Sequence, residues 1–172
     1  MTTPMWHAAP AARVCLPALP HAKWPFPFRI HDESRSGTDA PPRGRVLVVE
    51  DEYFVALAAE EALGAAGFEV VGVAATAEEA VEIARAERPD LVLMDIRLAG
   101  VRDGIDAAAE IRSGLGIPSL FATAHSDAAT RVRGEGAAAP MGWLTKPYAP
   151  TELAAAVAAA LAKLRGQDGE GT

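Results

Sequence analysis

From Arg45 onward the chain alternates five short apolar runs with five stretches of helical period, and that order constrains the fold more than any other feature. The runs are Arg45–Glu50 (RVLVVE), Phe68–Val73, Asp90–Asp95 (DLVLMD), Ile117–Thr123 and Gly142–Thr145. Short, uninterrupted apolar runs of this kind are what a strand buried on both faces looks like. Between them, Glu52–Ala66 reads as a helix stopped by Gly67, a common helix-ending residue. Thr76 and Glu79 form a T-x-x-E capping box that opens a helix running to about Glu87. Asp103 caps a helix over Asp103–Leu115. Ser126–Arg133 reads as a short, weak helix ended by Gly134, Gly136 and Pro140. Pro150–Leu164 places Leu153, Val157, Leu161 and Leu164 on one helical face. Strands that alternate with helices pack as a parallel sheet with helices on both faces, so the expected class is α/β, doubly wound, with five strands and five helices.

Residues 1–44 are different in kind. They hold eight of the 13 prolines and carry 5 basic against 3 acidic residues, while residues 45–172 carry 11 basic against 20 acidic residues. The net charge of −7 is therefore the sum of a +2 extension and a −9 domain. The prolines interrupt every candidate helix or ladder, which predicts a disordered extension over 1–44, a domain over 45–165 and a flexible tail over 166–172. Trp24-Pro25-Phe26-Pro27-Phe28 is the one stretch of the extension with the chemistry of a docking motif. The acidic domain argues against direct contact with nucleic acid, whose phosphates attract Lys/Arg-rich faces. No apolar run reaches the roughly 18–20 residues of a membrane span. Cys15 is the single cysteine, which excludes an internal disulfide framework.

In a doubly wound sheet ligands sit at the carboxyl ends of the strands. Here those ends carry Glu50 and Asp51, then Asp95, then Thr123, then Lys146 followed by Pro147. Three carboxylates brought close together repel one another unless a cation sits among them, and hard oxygen ligands suit Mg²⁺. A carboxylate so placed can attack a phosphoryl group to give an acyl phosphate. A hydroxyl and an ammonium nearby can bind the remaining phosphoryl oxygens. Lys146 is one of only three lysines in the chain. The Lys146-Pro147 step fixes the local backbone, and the sequence leaves its cis or trans state open.

The stretches VLVVEDE, PDLVLMDIRL, DGIDAAAEIR, IPSLFATAH and GWLTKPY together resemble the response-regulator receiver domain of two-component signalling, in its stand-alone, chemotaxis-regulator-like form, over residues 45–165. The resemblance implies a flavodoxin-like strand order 2-1-3-4-5. It implies that Asp95 is the phosphoacceptor, and that Glu50, Asp51, Asp95 and the backbone carbonyl of Arg97 hold Mg²⁺. Thr123 takes the place of the switch hydroxyl, Lys146 that of the phosphate-binding lysine, and Trp143 that of the aromatic that changes rotamer. Arg97 and His125, each two residues beyond a site residue, are expected to tune phosphate lifetime. The implied partners are a histidine kinase or histidine phosphotransfer protein and a downstream protein target that reads the fourth helix, fifth strand and fifth helix. A phosphorelay shuttle or phosphate sink is the alternative. The implied setting is cytoplasmic, and the implied chemistry is self-phosphorylation and autodephosphorylation rather than enzymatic turnover.

Two rival readings have less behind them. An Asp-nucleophile phosphatase usually carries D-x-D-x-[ST] after its first strand, whereas Asp95 opens DIRLA on the third. A degenerate receiver acting only as a binding module would be expected to lack some of the acidic, hydroxyl and lysine positions, and here all are filled.

Three departures from the family pattern carry expectations of their own. The usual proline four residues after the phosphoacceptor is Ala99, and the usual glycine comes nine residues after it, at Gly104, so the loop Ile96–Arg102 is about one residue longer. Ala149 stands before Pro150 where Ser or Thr often caps the last helix, at an expected cost of roughly 0.5–2 kcal/mol. Trp143 is bulkier than the usual tyrosine or phenylalanine, which restricts a full inward turn. Only Gly166–Thr172 follow the last helix, so output is expected through protein binding or onward phosphoryl transfer.

Overall fold

In the computed structural model the described residues are 41–124 and 127–168. The aromatic-proline motif, His125 and most of the extension lie outside them. The strands are β1 (Arg45–Val49), β2 (Glu69–Ala74), β3 (Leu91–Met94), β4 (Ser119–Thr123) and β5 (Trp143–Thr145). The helices are α1 (Tyr53–Ala65), α2 (Ala77–Glu87), α3 (Gly104–Leu115), α4 (Ala128–Ala138) and α5 (Pro150–Asp168). All strand pairs are parallel, in the order β2-β1-β3-β4-β5. This is the doubly wound, flavodoxin-like arrangement, with the topological switch between β1 and β3.

The pleat divides the apolar runs between two cores. Leu47, Val49, Val92, Met94 and Phe121 face α2, α3 and the end of α4. Val46, Val48, Leu91, Leu93, Leu120 and Ala122 face α1 and α5. Successive side chains of one strand point to opposite faces, so both faces must be apolar for the strand to be buried. Helices on both faces of the sheet therefore account for the uninterrupted runs.

Capping follows the sequence in detail. Thr76 accepts from Glu79 N–H at 3.2 Å, while the Glu79 carboxylate accepts from Ala75 N–H at 3.0 Å. Asp103 accepts from the N–H groups of Ile105 and Asp106, both at 3.0 Å. The missing cap at Ala149 is partly compensated, because the Glu152 carboxylate accepts from Ala149 N–H at 2.8 Å. The first turn of α5 thus keeps half of a capping box without a capping hydroxyl.

Three boundaries differ from the sequence reading. Arg43 is packed on the domain: its N–H donates to Gly67 O at 2.9 Å, and its guanidinium lies 5.2 Å from the Phe68 ring centroid. Arg43 and Gly44 therefore belong to the folded body rather than to the extension. α5 runs on to Asp168, four residues past Leu164, with Arg165 donating to Arg43 O at 2.6 Å near its end. α4 does not stop at Arg133 but continues through Gly134 and Gly136 to Ala138. The reason for the first glycine is steric. A Cβ at position 134 would lie 2.7 Å from the Trp143 ring, so only glycine lets the helix pass over the indole.

Candidate functional site at the carboxyl ends of the strands

Four adjacent strands of the parallel sheet, β1, β3, β4 and β5, set the site. Glu50 N–H donates to Ala74 O at 2.8 Å and Asp95 N–H to Val49 O at 2.9 Å, so both acids leave the sheet side by side. Lys146 N–H donates to Thr123 O at 3.0 Å as β5 ends beside β4. The Lys146-Pro147 peptide is cis. Glu50, Asp95 and Thr123 are buried, whereas Asp51 is exposed at the mouth.

Glu50, Asp51 and Asp95 each offer a carboxylate oxygen within 4.8 Å of the others. The Lys146 ammonium donates to Asp95 Oδ2 at 2.7 Å and also to Glu50 Oε2. Arg97 N–H donates to Asp95 Oδ1 at 3.3 Å, so both oxygens of Asp95 are held. Burial pushes the Glu50 carboxyl above the ordinary glutamate range, against the opposing pull of Lys146. For Lys146, burial lowers the pKa, but its bonds to Asp95 and Glu50 outweigh that and hold the ammonium above its usual value. One ammonium thus serves two buried acids, with Asp51 as a third acid beside them. The donor set is all hard oxygen, with the carboxylates close enough to share one ion, which is the chemistry of a Mg²⁺ site.

The loop after Asp95 closes directly onto the start of α3. Gly100 takes φ 111°, and Ala99 forms a parallel bridge to Thr76. Gly104 N–H donates to Ile96 O at 2.8 Å. A Cβ on Gly104 would lie 1.8 Å from the Asp95 carbonyl oxygen, so the helix start packs directly on the backbone of the acid. The glycine nine residues after Asp95 thus makes a contact that leaves no room for a side chain.

Trp143 is half-buried, its ring centroid 4.8 Å from that of Phe121 and tilted by 34°. Its indole N–H donates to Glu135 Oε1 at 2.6 Å, and the Arg131 guanidinium lies 5.2 Å from its ring centroid. The indole is thus engaged by α4 on several sides. The Arg97 side chain is exposed at the site mouth. The sequence reading did not single out Tyr148, which is half-buried just after the cis peptide with its phenol pushed up by burial. Nor did it single out Glu135 or Arg133, because only the packing of α4 brings them to their partners. None of the described helices is long and apolar enough to cross a membrane.

Residues 46–158 match the family model of the response regulator receiver domain. The chain is 41% identical over 129 residues to the transcriptional regulatory protein PdtaR of Mycobacterium tuberculosis, covering 74% of this chain and 61% of that protein. It is 34% identical over 132 residues to the phyllosphere-induced regulator PhyR of Methylorubrum extorquens, covering 76% of this chain and 48% of that one. The chain therefore spans between about half and three fifths of the length of these relatives. Among solved structures, the signal receiver domain of a modulated diguanylate cyclase from Desulfovibrio desulfuricans G20 superposes with TM-score 0.67 at 35% identity, over 72% of this chain and 98% of that one. The response regulator PhyR from Brucella abortus superposes with TM-score 0.64 at 36% identity, over 73% of this chain and 50% of that one. The sheet order, the strand-end acids and these matches lead to one family: the chain belongs to the response regulator receiver domains of two-component systems.

Proposed function

We propose that Asp95 accepts a phosphoryl group from a phosphohistidine of a histidine kinase or histidine phosphotransfer protein, and that the resulting acyl phosphate switches a protein-binding surface on α4, β5 and α5. The observation that carries this reading is the Lys146 ammonium bridging Asp95 and Glu50 inside a three-carboxylate cluster. A carboxylate oxygen of Asp95 attacks phosphorus. A P–O bond forms, the P–N bond to the donor histidine breaks, and its electron pair stays on the imidazole nitrogen. Lys146 stays within reach of Asp95 and of the oxygens that gather charge. Arg97 N–H orients the acid through Oδ1. The Thr123 hydroxyl is the candidate ligand for a further phosphoryl oxygen, by its place at the end of β4.

Glu50, Asp51, Asp95 and the Arg97 carbonyl are the groups that would hold Mg²⁺, which when bound supplies positive charge to the phosphoryl oxygens. Arg97 and His125 are our candidates for setting phosphate lifetime, and Trp143 for the aromatic that responds to phosphate. The protein is read as a cytoplasmic signalling switch, not a turnover enzyme. The filled set of acids and lysine supports a working phosphoacceptor over a degenerate binding module. PhyR is a regulator by name, and its similarity supports a downstream protein target.

The test is incubation of the full chain with Mg²⁺ and acetyl phosphate, followed by intact mass. The expected result is a gain of one phosphoryl group, absent in Asp95→Asn and slowed on the order of tenfold or more in Lys146→Met. A gain that survives Asp95→Asn overturns the assignment.

A further inference from the structure

α4 carries an unusual load for its composition. Its only buried residues are Gly134 and Ala138, and its largest apolar side chain, Val132, is 73% exposed. Apolar burial therefore does little to hold it, and its three central residues reach out instead. Glu135 and Gly134 engage Trp143, as described above. Arg133 turns the other way. Its guanidinium donates through Nη2 to Asp103 Oδ1 at 3.0 Å and to Asp106 Oδ1 at 2.7 Å, and through Nη1 to Asp103 Oδ2. Both oxygens of Asp103 are thus bound by one planar fork, the geometry that makes Arg–carboxylate pairs specific.

Asp103 is no ordinary surface acid. The oxygen that accepts from Arg133 Nη2 also caps α3 at Ile105 and Asp106. The next residue is Gly104, whose backbone lies against the Asp95 carbonyl and donates to Ile96 O. A continuous chain of contacts therefore runs from Arg133 through Asp103 and Gly104 to the backbone of Asp95. It does not pass through Thr123 or Trp143.

We propose that Arg133 is a positioning residue for Asp95: through the Asp103 cap it ties α4 to the loop that carries the phosphoacceptor, a second line of coupling beside the one through Trp143. This rests on the reading of Asp95 as phosphoacceptor. With Arg133 in place, the start of α3 is fixed and Asp95 is presented in one orientation. Without it, the cap remains but the loop and α4 move independently. Coupling is reciprocal in binding free energy, so a partner on α4 that competes for Arg133 alters the phosphoryl affinity of Asp95.

Two variants isolate the pair. Arg133→Met removes the fork and keeps the aliphatic stem. Asp103→Asn keeps a good cap and loses the charge. The full chain, each variant and the double variant are treated with Mg²⁺ and acetyl phosphate, with intact mass for uptake and amide hydrogen exchange for residues 96–106 and α4. In each single variant the expected result is uptake slowed about threefold or more and faster exchange over 96–106 before phosphate is added. The change in α4 exchange on phosphorylation is expected to shrink. The double variant is expected to match Arg133→Met, since that change already removes the Asp103 contact together with the one to Asp106. Uptake at or above the wild-type rate in both single variants, or additive losses in the double, overturns the coupling and leaves the phosphoacceptor reading standing. A wild-type chain that gains no phosphate overturns both.

Discussion

α4 and α5 flank the same short strand, β5, in the sequence, yet they are fastened to the domain by different physics. α5 buries Leu153, Val157, Ala160 and Leu161, each no more than 4% exposed. α4 buries a glycine and an alanine and relies on Arg133, Glu135 and a notch over an indole. Apolar burial is non-directional and resists sliding only through the loss of area. Hydrogen bonds and ion pairs at the surface have fixed geometry, contribute less each, and can be exchanged for water or for another partner. The first kind of fastening suits a scaffold, and the second suits an element that changes place.

The comparison can be broken most easily on its α5 side. Leu153→Ala is expected to destabilise the domain by about 2–5 kcal/mol, read from chemical denaturation, because a fully buried leucine leaves a cavity. A loss below about 1 kcal/mol would mean that α5 is not an apolar anchor. Next in size are two alanine substitutions only two residues apart on α4. Gly134→Ala meets the Trp143 ring at 2.7 and 3.0 Å and Phe121 at 3.4 Å, and is expected to cost about 1–3 kcal/mol through overpacking. Gly136→Ala meets nothing within 4 Å and is expected to stabilise by about 0.5–1 kcal/mol through helix propensity. Equal effects at the two positions would remove the notch from the account of α4.

The smallest expected effect is a pH dependence. Burial raises the Asp103 carboxyl, but hydrogen bonds from Arg133 and from the N–H groups of Asp106 and Ile105 pull it lower still, below the usual aspartate range. A depressed folded pKa means stability that is present above the unfolded value and lost as pH falls through the folded one. The stability gap between wild type and Asp103→Asn is therefore expected to narrow as pH falls below about 4, read from thermal midpoints across a pH series. A gap that stays constant into acid would show that the charge of Asp103 contributes nothing.

What was legible in the sequence was whatever depends on neighbours along the chain. The strand-end acids Glu50 and Asp95 were readable because each closes an apolar run, and Lys146 because a proline follows a short strand. The caps at Thr76 and Asp103 were readable because their partners lie three residues away or fewer. The extent of α4 was not readable. Gly134 looks like a helix breaker until Trp143, nine residues on, is seen to occupy the space where a side chain would be. The extra residue before Gly104 likewise reads in the sequence only as a longer loop. Its bridge between Ala99 and Thr76 joins residues 23 positions apart, a pairing that no local pattern announces.

The hydrogen bond from Trp143 to Glu135 has a consequence in optics. An excited indole moves electron density from its pyrrole ring toward its benzene ring, so a carboxylate at the pyrrole nitrogen stabilises the excited state and shifts emission to the red. The Glu135 carboxylate sits at that nitrogen. Any displacement of α4 that carries Glu135 away withdraws the shift, and the colour of the emitted light then reports the position of the helix. The domain thus carries its own α4 gauge, written in a residue it already needs for packing.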